Sequence, residues 1–259
     1  MMPNGKTLLG QKTLNHYHQN GYLVMKDLVP TDMVKSMCVQ TDGIANGNIA
    51  YPEQDIEYEP GIKEDRGAHS LRKLNRCAEN NSIFSAHVSN KYVLSVVCDL
   101  IGEDVKLYGT QLFMKPPGGM EKAYHQDSAY FPIQPRELVT CWTALDEVTA
   151  ENGAVCVIPG SHKQEVLPHN ASWMVGDRVD MKVSDERICR DQEVALLMTA
   201  GSCSFHHSML LHRSGVNHTN HSRRGLAVHY MSARSHWCDS DRPKPTFRLL
   251  CGKSYPGCV

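Results

Sequence analysis

The chain has 259 residues, of which 41% are hydrophobic and 21% are charged, and its formal net charge is -1. These are ordinary globular values, so they exclude a disordered chain, and a nucleic-acid partner is not expected because the sequence lacks a basic surplus. No stretch approaches the ~18 consecutive apolar residues of a membrane span. All-β folds commonly reach this length as one unit, and we predict a single domain over 1–259.

Neither end of the sequence matches a targeting signal. The start, MMPNGKTLLGQK, lacks the apolar region and cleavage site of a signal peptide, and the end, GKSYPGCV, matches neither a prenylation motif nor the SKL peroxisomal signal. We therefore expect a cytoplasmic protein, with a peroxisomal location as the alternative, and we assume a monomer. The ten cysteines form no CxxC pair, which favours buried free thiols over a disulfide framework or a zinc-thiolate site.

The N-terminal part predicts helices, mainly within 10–102. LNHYHQNGYLVM begins with helical spacing and ends in a strand-like YLVM, and Pro30-Thr31-Asp32 suits the start of a second helix. Residues 46–69 are polar and contain several glycines and prolines, so they predict a loop. A further helix is expected over 82–101, where apolar residues recur at helical spacing and Gly102 follows.

From Val105 onward the pattern changes to short runs rich in β-branched and aromatic residues. These runs are KLYGTQLFM, ELVTCWTAL, GAVCVIPG, ALLMTAGSCSFH and RGLAVHYM, separated by turn sequences such as PPGG, ENG and HRSG. Helices followed by many short strands predict a mainly β fold with flanking N-terminal helices. The number of strands favours a double-stranded β-helix, a cupin-like jelly roll, with its core at about 105–235.

A histidine and an aspartate lie two residues apart in YHQDSAYF, which predicts that His125 and Asp127 leave one face of a strand. A buried carboxylate is costly without a partner. Two imidazoles and one carboxylate form the facial triad of non-haem Fe(II) oxygenases, which leaves coordination positions open. The pair alone is a weak signal, because a solvated polar strand face would look the same.

The second imidazole has six candidates in the C-terminal part: His206, His207, His212, His218, His221 and His229. Spacing does not select one of them. His212 is favoured because it closes an apolar run at a turn and is followed by Ser214 and Arg223.

Arg223 begins the predicted strand RRGLAVHYM and could bind a dicarboxylate. A planar guanidinium binds a carboxylate through two hydrogen bonds, which a lysine does not reproduce. Alternation along this strand places Arg223, Gly225, Ala227 and His229 on one face. Small residues beside the arginine would leave room for a ligand there. The alternative is that Arg223 and Arg224 are solvated charges at a turn.

The segment from Leu107 to Tyr230 resembles the phytanoyl-CoA dioxygenase (PhyH) family of Fe(II)/2-oxoglutarate-dependent oxygenases. The resemblance is carried by MKPP, YHQDSAYFP, CWTAL, ENGAVCVIPGSHK and LLHRSGVNHT followed by SRRGLAVHY. The N-terminal NGYLVMKDLVP also resembles the family's first strand. Several ordered blocks match, so the resemblance implies the family's fold and cofactors: Fe(II), 2-oxoglutarate and O2, with ascorbate in a supporting role.

The resemblance also implies roles for individual residues. The iron ligands fall on His125, Asp127 and His212, and the 2-oxoglutarate site falls on Lys73, Gln111, Trp142, Ser214 and Arg223. Gln126 and His169 resemble residues on the substrate side. Gln111 stands where close relatives carry methionine, Lys73 could be an ordinary surface lysine, and Trp142 could be a core residue.

The implied reaction is hydroxylation of an unactivated C–H bond of a small-molecule or acyl-CoA substrate, with release of succinate and CO2. Asp127 favours hydroxylation over halogenation, which needs a small residue at that position. Lys115, Lys122 and Lys163 could meet the phosphates of a CoA, and PPGGMEKAY and the region 174–181 are expected to shape the substrate entrance. The alternatives are a catalytically silent module that binds 2-oxoglutarate or metal, and a zinc hydrolase that uses the same His/Asp/His set.

Overall fold

A computed structural model describes residues 8–60, 67–175 and 178–259, without the side chains of 172–180. The helices are α1 (Gln11–Asn20), α2 (Thr31–Ala45), α3 (Cys77–Asn80), α4 (Ser82–Val88) and α5 (Lys91–Ile101). The strands are β1 (Tyr22–Met25), β2 (Ile56–Tyr58), β3 (Leu71–Asn75), β4 (Val105–Lys115), β5 (Lys122–His125), β6 (Ile133–Gln134), β7 (Leu138–Ala144), β8 (Val155–Val157), β9 (Ala171–Val175), β10 (Arg178–Lys182), β11 (Val194–Ala195), β12 (Cys203–His207), β13 (His212–Ser214), β14 (Arg223–Ser232), β15 (His236–Trp237) and β16 (Leu249–Cys251).

Two antiparallel sheets build the framework of the site. The larger sheet has eight strands in the order β1-β12-β7-β14-β4-β3-β2, with β16 paired to β4. The smaller sheet has the order β11-β8-β13-β5. Side chains of both sheets pack together in one cluster that includes Trp142 and Ala227 from the larger sheet and Val155 from the smaller one. The predicted jelly roll with flanking helices is therefore confirmed.

The larger sheet has two different faces. On one face Leu226, Val228 and Tyr230 pack with the helices in the main hydrophobic core, which also contains Phe84 and Val96. Burial of each such side chain contributes ~1.5–3 kcal/mol. Because side chains alternate along a strand, the intervening residues of β14 face the smaller sheet. The helical layer thus supports the sheet from behind and leaves its other face to the site.

The structure corrects two predicted elements. The expected loop at 46–69 contains a 3-10 helix (Glu53–Asp55) followed by β2, which pairs with β3. The expected helix over 82–101 is two helices, α4 and α5, interrupted before Lys91. The break has a local cause, because the Asn90 side chain caps α5 by accepting hydrogen bonds from the backbone N–H of Tyr92 at 2.9 Å and of Val93 at 3.3 Å.

All ten cysteines are free thiols. Cys77, Cys141, Cys156 and Cys203 are buried, whereas Cys189 and Cys238 are exposed. Within the described ranges, none of the helices combines the length and the apolar character needed to traverse a lipid bilayer. Strands from both ends of the described chain, β1 and β16, join the same sheet; the single domain over 1–259 stays a prediction.

Candidate active site

Two histidines and one aspartate meet between the sheets. His125 ends β5, His212 begins β13, and the two residues are direct partners in the antiparallel register of these strands. Nε2 of His125 lies 3.8 Å from Oδ1 of Asp127, and Nε2 of His212 lies 3.6 Å from the same oxygen. One ligand atom from each of the three side chains falls within 4.8 Å of the others, and all three residues are buried.

Asp127 does not lie on a strand, so the prediction that both members of the HxD pair leave one strand face was wrong. Strand β5 ends at His125, and Asp127 opens a 3-10 helix (Asp127–Ala129). Gln126 between them is still extended, which keeps the two side chains on the same side. The turn then brings the carboxylate against the end of the strand.

The backbone fixes which nitrogen of each imidazole is free to bind a ligand. Nδ1–H of His125 donates to the carbonyl of Ala123 at 2.8 Å, and Nδ1–H of His212 donates to the carbonyl of Leu210 at 2.9 Å. Burial lowers the pKa of His212 to about 4 and that of His125 well below its ordinary value, so both rings are neutral at pH 7. Their Nε2 lone pairs therefore face a carboxylate, an arrangement that fits a bound cation.

A hydrogen-bonded chain orients the aspartate. The Thr140 hydroxyl donates its one hydrogen to Oδ2 of Asp127 at 2.7 Å. The hydroxyl oxygen also lies 2.8 Å from Nδ1 of His229, so Nδ1–H must be the donor in that second bond. Burial alone would raise the pKa of Asp127, but the imidazoles around it, led by His212, outweigh that effect and hold the pKa well below its ordinary value. The carboxylate is therefore charged.

The other end of the site carries a buried arginine. Arg223 is 1% exposed, donates from Nη2 to the carbonyl of Gly153 at 2.6 Å, and has its guanidinium carbon 5.2 Å from the centre of the Trp142 ring. Its Nε has no hydrogen-bond partner among the described residues. Burial lowers the pKa of Arg223 only to about 10, so it stays a cation. Gly225 permits this packing, because a Cβ there would overlap the Trp142 ring.

Lys115, which the sequence analysis offered as a contact for CoA phosphates, lies beside this arginine. It is the cross-strand partner of Arg223 and is 7% exposed. Its Nζ donates to Oγ of Ser214 at 3.0 Å and to the carbonyl of Gly215. In the part of the chain that the structure describes, neither Lys115 nor Arg223 forms an ion pair with a carboxylate. The Arg223 guanidinium, the Lys115 amine and a hydroxyl thus converge at this end, and these hydrogen-bond donors fit an anionic group.

The cavity between the two ends has a volume of about 280 Å³. Lys73, Gln111 and Trp142 line it, as the family resemblance implied. Lys73 is only 8% exposed and forms an ion pair with Glu57 at 2.7 Å, so it is not an ordinary surface lysine. The amide of Gln111 donates to Oδ1 of Asn75 at 3.2 Å.

Gln126 and His169, expected on the substrate side, are not among the residues that line the cavity. The Gln126 amide donates to the carbonyl of Met209 at 2.7 Å and accepts from the N–H of Leu167 at 2.8 Å. Nε2 of His169 accepts from the backbone N–H of Gln126 at 2.8 Å, and its Nδ1–H donates to the carbonyl of Leu167 at 2.7 Å. These bonds hold 167–169 against the turn that carries Asp127, and the substrate-side role of Gln126 and His169 stays a prediction.

Among the residues that line the cavity, sequence reasoning did not single out Tyr130, Phe131 or Thr140. It named His206 only as a candidate metal ligand. His206 was one of six equivalent candidates, and only the fold shows that it shares the cavity with His212. His229 was found, because alternation along β14 placed it on the face of Arg223. Of the region 174–181, expected at the entrance, residues 174–175 and 178–181 belong to β9 and β10, and the side chains up to 180 lie outside the described residues.

A jelly roll that brings two histidines and an aspartate together beside a buried arginine defines the class of the non-haem iron, 2-oxoglutarate-dependent dioxygenases. Comparison with known proteins then identifies the family. The family model described as "Phytanoyl-CoA dioxygenase (PhyH)" matches residues 17–225. The chain therefore belongs to the phytanoyl-CoA dioxygenase family, and the predicted family and dioxygenase class are confirmed.

Individual relatives are distant but cover most of the chain. The peroxisomal phytanoyl-CoA dioxygenase of Homo sapiens is 28% identical over 232 residues, which is 86% of this chain and 68% of the relative. The probable alpha-ketoglutarate-dependent hypophosphite dioxygenase of Stutzerimonas stutzeri is 26% identical over 220 residues, 84% of this chain and 77% of the relative. The structure of EctD from S. alaskensis with 2-oxoglutarate and 5-hydroxyectoine superposes with a TM-score of 0.74 and 19% identity, covering 98% of this chain and 88% of that one.

Proposed function

We propose that this protein is an Fe(II)- and 2-oxoglutarate-dependent hydroxylase. It would insert one oxygen atom of O2 into an unactivated C–H bond of a small-molecule or acyl-CoA substrate and place the other in succinate, with release of CO2. The proposal rests on one cavity whose two ends suit ligands of opposite charge. A His/Asp/His cluster suits a cation at one end, and Arg223 suits an anion at the other.

His125, Asp127 and His212 would hold the iron, which when bound supplies the activation of O2. The chain contributes the preparation of these ligands. The carbonyls of Ala123 and Leu210 hold the rings with Nε2 directed at the carboxylate, and Thr140 restrains Oδ2 of that carboxylate. Such partners set ligand orientation and basicity.

Arg223, Ser214 and Lys115 would bind the far carboxylate of 2-oxoglutarate. The unsatisfied Nε of Arg223 offers a further donor at this place, and a charge-assisted hydrogen bond in a dry cavity is stronger than one in water. Trp142, Val155 and Ala227 form apolar walls of the same cavity. Lys73 and Gln111 line the same cavity and would contact the cosubstrate or the substrate.

The test starts from protein purified without oxygen and stripped of metal. Fe(II) and 2-oxoglutarate are then added together and singly, and oxygen uptake and succinate are measured with a panel of small metabolites and acyl-CoAs, with Asp127→Ala as the matched control. We expect 2-oxoglutarate to bind only to metal-loaded protein, and one panel member to accelerate succinate release and gain one oxygen atom. A tight zinc site indifferent to 2-oxoglutarate would favour the hydrolase, and binding without turnover on any panel member would favour the silent module.

Other expectations stay predictions: O2 as the oxidant, support by ascorbate, a cytoplasmic location and a monomeric state. The human relative is named as a peroxisomal protein. The relatives' names also span unlike substrates, phytanoyl-CoA and hypophosphite, so family membership leaves the substrate open.

A further inference from the structure

One carboxylate connects the two strands that carry the histidine ligands. Oε2 of Glu193 accepts hydrogen bonds from the Tyr124 hydroxyl and from Nε of Arg213, the latter at 2.6 Å. Oε1 of Glu193 accepts from Nη2 of Arg213, also at 2.6 Å. Tyr124 directly precedes His125, and Arg213 directly follows His212. Glu193 therefore holds a chain neighbour of each imidazole ligand.

The register of the smaller sheet brings these three residues together. Ala195 of β11, Cys156 of β8 and Arg213 of β13 are successive cross-strand partners. Glu193 lies two residues before Ala195 and has an extended backbone, so both side chains lie on the same side of the sheet. Tyr124 lies opposite Arg213 on β5. The link thus extends from the segment before β11 to β5, across the whole sheet.

The backbone joins the two ligand-bearing strands only over a short length. Strand β5 has four residues and ends the order of the smaller sheet, next to β13. The register of β5 with β13 contains two residue pairs, and it shifts between them, as in a β-bulge. At this shift Ala123 and Tyr124 of β5 both lie opposite Arg213. A bulge interrupts the ladder of backbone hydrogen bonds and bends the strand, so the Glu193 link joins the strands where their backbone pairing is weakest.

The link is charged and partly shielded from solvent. The side chains of Glu193 and Arg213 are each 21% exposed. Burial alone would raise the pKa of Glu193, but hydrogen bonds from Arg213 and Tyr124 outweigh it and lower the pKa, so the carboxylate is charged at pH 7. Tyr124 is 3% exposed and belongs to an apolar cluster with Ile188 and Leu211. Its ring is thus held by packing, and its hydroxyl passes the restraint to β5.

We propose, on the basis of the iron site in the function given above, that Glu193 is a positioning residue for the metal. It holds β5 against β13 so that His125 and His212, whose ring centres lie 4.2 Å apart, meet the same ion. Metal binding needs both Nε2 atoms at once, and a site that is already ordered loses less entropy when the ion binds. Residues that hold ligands in place contribute ~10–100-fold to metal affinity. If the ion pair only fastened the segment before β11, its loss would change stability and leave metal binding as it is.

The experiment measures metal affinity and stability separately. Metal-free protein is titrated with Co(II) against a competing chelator, the absorption bands of the bound Co(II) report the ligand geometry, and urea unfolding of the metal-free protein gives its free energy of unfolding. We expect Glu193→Ala to weaken Co(II) binding about tenfold and to change the absorption bands. Asp146→Ala is the matched control, because Asp146 also binds an arginine at Nε and Nη2, that of Arg224, and does not line the cavity. This control should lower the free energy of unfolding by a similar amount and change Co(II) affinity by less than about twofold.

A second set of variants cuts the link at either end and serves also if Glu193→Ala fails to fold. Tyr124→Phe removes the hydroxyl and leaves the ring in its apolar cluster, and Arg213→Met removes the guanidinium. Because either cut breaks the link, the double variant should bind Co(II) about as weakly as the weaker single variant, whereas independent contributions would multiply. Multiplied effects, unchanged Co(II) affinity in Glu193→Ala or Tyr124→Phe, or an equal loss in Asp146→Ala would each overturn the assignment. Failure of the wild type to bind Co(II) would instead overturn the proposed function, and this assignment with it.

Discussion

The two ends of the cavity suit ligands of opposite charge. At the triad end, two neutral imidazole nitrogens and a charged carboxylate face one another, which suits a positive ion. At the arginine end, the Arg223 guanidinium and the Lys115 amine lie buried side by side, which suits an anion. Buried charge without a partner lowers stability, so each end is better explained by a ligand than by folding.

This contrast makes the two ends separable by experiment. A change at the triad end should affect metal affinity first, and a change at the arginine end should affect 2-oxoglutarate affinity with the metal still bound. If both ends served only to stabilise the fold, replacement of their charged groups would change the free energy of unfolding and no binding constant.

Asp127→Ala should have the largest effect. This change removes the single anionic ligand of the triad. Loss of a residue that only supports a ligand already costs ~10–100-fold in metal affinity. We therefore expect metal affinity to fall at least a hundredfold and substrate-dependent succinate release to be abolished. Competition with a metal-binding dye measures the affinity. Asp55→Ala is the control, since Asp55 is also a buried aspartate of a 3-10 helix, outside the cavity. Retained turnover in Asp127→Ala would remove this residue from the metal.

Arg223→Met should weaken 2-oxoglutarate binding by about ten- to hundredfold, since a hydrogen bond to a charged group contributes ~1.5–3 kcal/mol. Metal affinity should stay within a factor of two, because Arg223 lies at the other end. Calorimetric titration of 2-oxoglutarate into Mn(II)-loaded protein measures this effect. The control is Arg224→Met, whose guanidinium is bound instead to Asp146 and Asp42. Equal effects of the two variants would show that Arg223 acts on stability alone.

The contrast also explains how much of the site the sequence could predict. The arginine end depends on one strand, so alternation along RRGLAVHYM was enough to place Arg223 and His229 on one face. The triad end depends on the pairing of β5 with β13, which are far apart in sequence. Periodicity carries no information on such pairing, so His212 was only favoured among six histidines until the family resemblance singled it out.

Predicted elements failed where a single polar side chain decides the local structure. The helix over 82–101 is interrupted because Asn90 caps a new helix, although the apolar spacing continues across it. Strand β2 was missed because it is short and borders a polar segment, and its strand geometry comes from pairing with β3. The resemblance placed Gln126 on the substrate side, which stays a prediction; its amide donates to Met209 and accepts from Leu167.

Lys115→Met tests whether the second cation belongs to the arginine end. We expect 2-oxoglutarate affinity to fall about tenfold, the lower end of the effect for a bond to a charged group, with metal affinity unchanged. Lys163→Met, at an exposed lysine, is the control. Unchanged 2-oxoglutarate binding would assign Lys115 to the fold.

The same variant has a pH signature in the ligand-free protein. Burial, helped by the charge of Arg223, lowers the pKa of Lys115 well below its ordinary value of 10.5. The folded state therefore binds fewer protons than the unfolded state between these two pKa values, and stability rises with pH across that window. Lys115→Met lacks this titration. Its melting temperature should therefore exceed that of the wild type most at the low-pH end of the window, and the difference should shrink toward pH 10.5. A constant difference would mean that Lys115 has the same pKa in the folded and the unfolded state.

Thr140→Val should have the smallest effect and still separate the two ends. Valine keeps the shape of the side chain but breaks the chain of hydrogen bonds from His229 to Asp127, so metal affinity should fall by up to about tenfold. Thr143→Val is a close control: Thr143 is buried on the same strand and contacts His87 at 3.0 Å, on the face turned to the helices. Both variants should lower the free energy of unfolding by a similar amount, because each breaks a buried threonine–histidine hydrogen bond. Only Thr140→Val should weaken metal binding. Equal metal affinity in the two variants would mean that Thr140 supports the sheet and that the orientation of Asp127 is set by its own 3-10 helix.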